Sequence, residues 1–274
     1  MTPRPKAIIL TSTFLRHQYV VNQLATFIDV IGVWQEEKSF VPERYAGSDD
    51  DLAIITAHFA ARDRSETAWF GAHDTLRLET GATHRRGPSD FINSPGALDD
   101  MARLSPDVVL VFGTGLLRAP IVEQFSGRII NLHLGLSPYY RGAGTNFWPL
   151  VNREPEFVGA TVHYLDLGID TGPMLAHARP DIAHDDGPHD VGNKAIVAAV
   201  PVLAAAAAAH VDGQTRGVPQ ASSGRLYQRK DFSADAIRRL HANFATGMLQ
   251  EYLGDRERRD APLALLSLER TPAA

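Results

Sequence analysis

Short apolar runs, separated by longer stretches of mixed polarity, set the rhythm of this chain. Ala7-Ile-Ile-Leu10 and Val30-Ile-Gly-Val-Trp34 read as buried strands, and residues 15–25 between them are helical in pattern. Strand, helix and strand in that order open a parallel α/β sheet. Thr11-Ser12-Thr13 predicts a hydroxyl cap for the helix. Residues 59–70 are charged and helical in flavour, and 98–104 predict a short helix. Asp107-Val-Val-Leu-Val-Phe112 is almost continuously apolar, which suits a strand covered on both faces. Further on, the pattern predicts a short helix over 120–125, strands over 128–133, 159–164 and 174–179, and a long helix over 190–208. A last helix is expected over 233–253, where Ile237, Leu240, Phe244, Met248 and Tyr252 recur at three- and four-residue steps. The expected fold is α/β: an open, mostly parallel, Rossmann-like sheet flanked by helices, with a C-terminal helical arm. Residues 213–224, with Gly217, Pro219, Ser222 and Ser223, read as a linker. They divide a main domain (1–212) from a linker and helical arm (213–274).

Composition narrows the function. The 274 residues are 44% hydrophobic, enough for a packed core. Without cysteine there is no disulfide, thiolate metal site or thiol nucleophile. A net charge of -5 gives no support to nucleic-acid binding. The apolar run 195–209 is interrupted only by Pro201; it is shorter than a membrane span and rich in alanine. A buried helix is expected there, kinked or begun by Pro201. Met1-Thr-Pro-Arg-Pro-Lys6 leads into too few apolar residues for a signal peptide. A cytoplasmic protein without membrane contact is the expectation.

Chemistry concentrates in Asn131-Leu-His-Leu-Gly-Leu-Ser-Pro-Tyr-Tyr-Arg-Gly142. Residues i and i+2 of a strand face one way, so Asn131 and His133 can address a single reacting atom. A later loop, Asp166-Leu-Gly-Ile-Asp170-Thr-Gly172, brings a carboxylate. Amide, imidazole and carboxylate are the parts that acyl transfer to an amine requires. These segments resemble the folate-dependent formyltransferases, the family of the glycinamide ribonucleotide, methionyl-tRNA and sugar-nucleotide enzymes. The resemblance is carried by Asn131-x-His133, by Gly135 to Gly142 with its serine beside the proline, by Ala160-Thr-Val-His163, and by the Asp170 loop. It covers about residues 105–200.

The resemblance implies catalytic roles for Asn131, His133 and Asp170. Asn131 would hold the developing oxyanion and Asp170 would tune His133. His133 would either take the proton of the amine or act as imidazolium; the sequence does not choose. Phe112, Gly113, Thr114, Gly115, Leu116 and Leu117, with Asp166 and Gly168, would border the pocket for 10-formyltetrahydrofolate. Ser137, Tyr139, Tyr140 and Arg141 would wall the acceptor side, with Arg141 either binding an acidic group or pinning its loop. Thr11, Ser12 and Arg16 would either receive an anionic group of the substrate or merely start a helix. The turn there lacks the glycine of the purine-pathway enzymes, which argues against a glycinamide ribonucleotide acceptor. His163 reads as structural. His184, His189 and His210 with Asp185, Asp186 and Asp190 lack a metal-ligand spacing, so no metal is expected. Asp190 or His189 suits a helix cap.

The expected reaction moves a formyl group to an amine or hydroxylamine of a small molecule, such as an amino-sugar nucleotide or a secondary-metabolite amine. A formyltetrahydrofolate hydrolase and a non-enzymatic folate or nucleotide sensor are the alternatives. The apolar stripe of the last helix predicts a homodimer with Leu240 and Phe244 near the contact; packing on its own chain is the alternative.

Overall fold

The computed structural model describes residues 4–168, 170–220 and 224–268. The chain opens with β1 (Lys6–Ser12), α1 (Leu15–Phe27) and β2 (Asp29–Glu36). Then come α2 (Asp49–Phe70), β3 (Thr83–Gly87), α3 (Pro95–Arg103), β4 (Val108–Val111) and α4 (Ala119–Gln124). The motif strand β5 (Ile129–Leu134) is followed by β6 (Tyr140–Gly142), α5 (Phe147–Val151), β7 (Ala160–Tyr164), β8 (Met174–Ala178) and α6 (Pro188–Val211). β9 (Arg225–Tyr227), α7 (Ala234–Ala245), α8 (Met248–Gly254) and α9 (Arg256–Asp260) complete it. Seven strands form one sheet in the order β3-β2-β1-β4-β5-β7-β8. Pairing is parallel as far as β5 and antiparallel at β5–β7 and β7–β8. β6 and β9 make a separate parallel pair.

Strand alternation assigns the two faces of the sheet. Ile9, Leu110, Ile130, Leu132 and Val162 face α1 and α6 in one apolar cluster. Ile8, Val109, Val111 and Ile129 face α3 and α4 in another, with Met101 and Ile121. Asn131 and His133 continue the second face beyond Ile129. α4 has only 6 residues, and loops rather than a helix lie over that end of β5.

Several boundaries differ from those the pattern predicts. Thr11 and Ser12 are strand residues, and the α1 N-cap is Phe14 without a side-chain hydrogen bond. α2 begins ten residues earlier than the charged stretch indicates, because Ser48 caps it and Asp49, Asp50 and Asp51 fill its first turn. α6 runs through Pro201. It is long and apolar enough to cross a membrane, yet half of its apolar window is buried in this protein, against α1 and the sheet. Asp190 caps it, accepting the Gly187 amide at 3.1 Å.

The tail departs most. Gly247, at φ +77°, ends one helix and starts another, so the predicted single helix is α7 plus α8. Its stripe is spent within the chain: Ile237, Leu240, Met248 and Tyr252 are all at most 1% exposed, and Phe244 packs on the same cluster. Leu240, Met248 and Tyr252 pack beside Trp148, Leu150 and Val191, and Ile237 packs on Ile55 of α2. Leu240 therefore packs on its own chain, while Phe244 beside it stays only partly buried. The presumed linker is laced to the core, since Val218 bridges Met174. Its Ser222 and Ser223 lie outside the described residues.

Candidate active site

β5 and β7 pair antiparallel with Asn131 opposite His163 and His133 opposite Thr161. This register puts all four side chains on the face left open by α4. The loop after β7 folds back over them and delivers Asp170. Its Oδ2 lies 3.4 Å from His133 Nδ1 and its Oδ1 lies 3.7 Å from His163 Nε2. Asp170 holds a left-handed φ of +51°, which aspartate tolerates better than most residues. The three residues that the motif singled out thus meet, and His163 joins them. His163 Nδ1 faces the Tyr164 carbonyl at 2.8 Å, so in the neutral ring that nitrogen bears the proton. Its Nε2 then accepts from the Asn131 amide at 3.0 Å. His163 is not merely structural: it orients Asn131. Sequence reading missed this because it needs the antiparallel register of β5 and β7.

Burial lowers the pKa of His133, with the neighbouring His163 adding to the effect and Asp170 and the Tyr140 carbonyl opposing it. The ring is therefore neutral at pH 7. For Asp170, burial alone would raise the carboxyl, but His163, His133 and the Gly142 amide together bring it below its ordinary value. His133 Nε2 lies 3.4 Å from the Tyr140 carbonyl oxygen. An imidazolium formed there would be flanked by two acceptors, Asp170 and Tyr140. Gly135, at φ +148°, packs closely on this ring; a Cβ built on it would lie 2.9 Å from Nε2.

The turn after β4 borders the same space. Gly113, at φ +71°, leaves room for the buried His17, since a Cβ there would fall 2.2 Å from its Nε2. Several of the turn's polar groups are bound within the chain. Lys38 Nζ donates to the Gly113 carbonyl at 2.5 Å, the Gly115 amide donates to Glu36 at 2.9 Å, and Asn93 donates to the Leu116 carbonyl at 2.9 Å. Burial, with Arg229 and Arg16 nearby, pushes Lys38 down to about 8 against the pull of Glu36. Thr114 bonds the Gly115 carbonyl. Phe112 packs on His17 with ring centroids 4.9 Å apart, and Leu117 is half-buried in the adjacent core. Leu116, 72% exposed, and Leu167, 65% exposed, supply apolar surface on the two bordering loops. Asp166 accepts from Gly168 at 3.0 Å and from Thr171 at 2.8 Å, so this pair closes its own loop.

The acceptor-side residues are mostly committed elsewhere. Thr11 is buried and donates to the Phe112 carbonyl at 2.7 Å. Ser12 and Ser137 are fully buried. Arg16 is ion-paired with Glu66 of α2. Tyr140 is buried and its hydroxyl meets Glu154, Asn152 and Arg225. Tyr139 accepts the Ala264 amide at 2.7 Å. Thr11 and Tyr140 are thereby engaged within the chain's own scaffold, while the buried hydroxyls of Ser12 and Ser137 have no hydrogen-bond partner among the described residues. The buried Nε of Arg141 likewise has no hydrogen-bond partner among the described residues. No group of three or more His, Cys, Asp or Glu among those residues is placed to hold a metal.

An open α/β sheet that switches to antiparallel at β5–β7, with amide, imidazoles and carboxylate gathered there, defines the class. Residues 84–206 match the family model described as formyl transferase. Methionyl-tRNA formyltransferase of Caldanaerobacter subterraneus subsp. tengcongensis is 32% identical over 146 residues, 53% of this chain and 47% of that protein. The chain thus spans about half the length of this curated relative. A sugar N-formyltransferase from Shewanella sp. FDAARGOS_354 shares the fold at TM-score 0.53 and 16% identity, covering 83% of this chain and 78% of the other. A formyltetrahydrofolate deformylase from Pseudomonas syringae pv. tomato does so at 0.53 and 16%, covering 79% and 67%.

Proposed function

We propose that this protein is a cytoplasmic N-formyltransferase that moves the formyl group of 10-formyltetrahydrofolate to an amine or hydroxylamine of a small molecule. An amino-sugar nucleotide or a secondary-metabolite amine fits this reading. The observation that carries it is the contact of Asp170 with both His133 and His163, with Asn131 held by His163. The formyl folate supplies an electrophilic carbon attached to a leaving nitrogen. Leu116 and Leu167 would hold its flat ring.

His133 is neutral before reaction and takes the proton of the attacking amine. Asp170 and the Tyr140 carbonyl then stabilise the imidazolium, which returns the proton to the leaving nitrogen of the folate as its bond to the formyl carbon breaks and tetrahydrofolate departs. One Asn131 N–H is spent on His163, and the other is free to donate to the oxygen where negative charge develops. A donor so placed contributes about 3 kcal/mol in the transition state. Asp170 and Asn131 are both aimed by neighbours, which limits reorganisation during the step.

Fold alone does not select the acceptor, because a transferase and a hydrolase share it. Incubation with 10-formyltetrahydrofolate, with and without a panel of amines and hydroxylamines, decides. Tetrahydrofolate release that requires an amine, with formylated amine recovered, supports the transferase. Release without amine makes the protein a hydrolase, and no release leaves only binding.

A further inference from the structure

We infer that His177 is a positioning residue for His133, and that the C-terminal strap of residues 264–268 belongs to the active-site scaffold. This rests on the reading of His133 as the proton acceptor. The strap lies on β8. The His177 amide donates to the Leu266 carbonyl at 2.8 Å, and the Leu266 amide donates to His177 Nδ1 at 2.9 Å. A ring nitrogen that accepts from an amide bears no proton, so in the neutral ring the proton sits on Nε2. Burial lowers the pKa of His177 and keeps the ring neutral, against the pull of the Ser137 carbonyl.

From there the hydrogen bonds run one way. His177 Nε2 donates to the Ser137 carbonyl at 2.9 Å. The Ser137 amide donates to Thr161 Oγ1 at 2.9 Å. Thr161 has one hydroxyl proton and gives it to the Gly135 carbonyl at 2.6 Å. Ser137 and Thr161 are 0% exposed, so water does not substitute for a lost link. Gly135 is the residue that packs on the His133 ring. The strap grips this loop a second time through the Ala264 amide on the Tyr139 hydroxyl. Leu268 then packs against the main core. Four hydrogen bonds, each with its donor and acceptor assigned, and one packing contact therefore join the strap to the ring of His133.

The test uses the full chain labelled with 15N-histidine. Two-bond 1H–15N spectra should show a single Nε2–H tautomer for His177. Leu266→Pro removes the strap amide and should mix the tautomers of His177 and shift the ring nitrogens of His133. Displacement of a positioned proton acceptor lowers kcat at least ~10-fold, with KM for the formyl folate within about 2-fold. His177→Leu should act alike, and His177→Gln, which keeps a donor and an acceptor, should restore kcat to within about 3-fold. Turnover is normalised to folded protein, and the two disabling variants sit on different segments, so misfolding of one leaves the other decisive. An Nδ1–H tautomer at His177, or wild-type kcat with unmoved His133 resonances in His177→Leu or Leu266→Pro, overturns the inference. If the native chain transfers no formyl group, the proposed function fails, while the His133 resonances still decide the positioning role.

Discussion

Single residues owe their roles here to burial and hydrogen-bond direction. His133 is 7% exposed, and burial outweighs Asp170 in setting its protonation. A buried neutral base keeps its lone pair to lower pH than a solvated one. Turnover should therefore stay flat from pH 8 to below 6.5 and fall only in more acid solution; a decline centred at or above 6.5 contradicts the assignment. His133→Ala and Asp170→Ala should each lower turnover at least ~100-fold, with folate affinity within an order of magnitude. Asn131→Asp should be nearly as damaging, because it turns a carboxylate toward a developing anion. His163→Leu should reproduce much of that loss by releasing the Asn131 amide. Steady-state kinetics and folate titration check all four, and wild-type turnover in His133→Ala or Asp170→Ala sinks the site.

Elements carry their own terms. α2 starts at Asp49 because the Ser48 side chain accepts the Asp51 amide at 3.2 Å. Arg238 of α7 then pairs with Asp50 and Asp51 at 2.6 and 2.9 Å. The first turn of α2 thus docks the arm. Ser48→Ala should cost about 1 kcal/mol of unfolding free energy, measured by urea titration, and should leave folate affinity unchanged. No loss of stability would show that the cap is redundant with the three aspartates.

At the scale of the whole molecule, the arm meets the core around three imidazoles. His58 of α2 lies 4.7 Å from His189 of α6 and 6.3 Å from His241 of α7, by ring centroids. Burial first, then His189, His241 and Arg62, push His58 down to about 3. Burial, Arg62 and His241, against Asp190, push His189 down to about 4. Unfolded or undocked, each ring titrates near 6.5, so below that pH the non-native state binds the extra protons. The stabilisation is intact above pH 6.5 and is lost as pH falls toward the folded values. The slope reaches about 1.4 kcal/mol per pH unit for each group. Calorimetry should show Tm falling between pH 6.5 and 4, and His58→Phe, set among Phe59, Phe147 and Phe232, should flatten that fall. Identical slopes for both proteins would remove His58 from the effect.

What the sequence by itself determined was local. Continuous apolar runs at 7–10 and 108–112 define buried strands, since only a covered strand can be apolar on both faces. The spacing of Asn131 and His133 places them on one side of a strand, and the flanking glycines mark the Asp170 segment as a loop. What only the tertiary structure decided was everything set by pairing at a distance. The antiparallel register of β5 and β7 brings His163 to Asn131. The break at Gly247 and the packing of α7 bury Leu240 within its own chain. The closure of Thr11 on Phe112 and of Tyr140 on Glu154 converts expected substrate groups into scaffold. A hydroxyl or an imidazole reads the same in any sequence; its partner, and hence its role, exists only once the chain has folded.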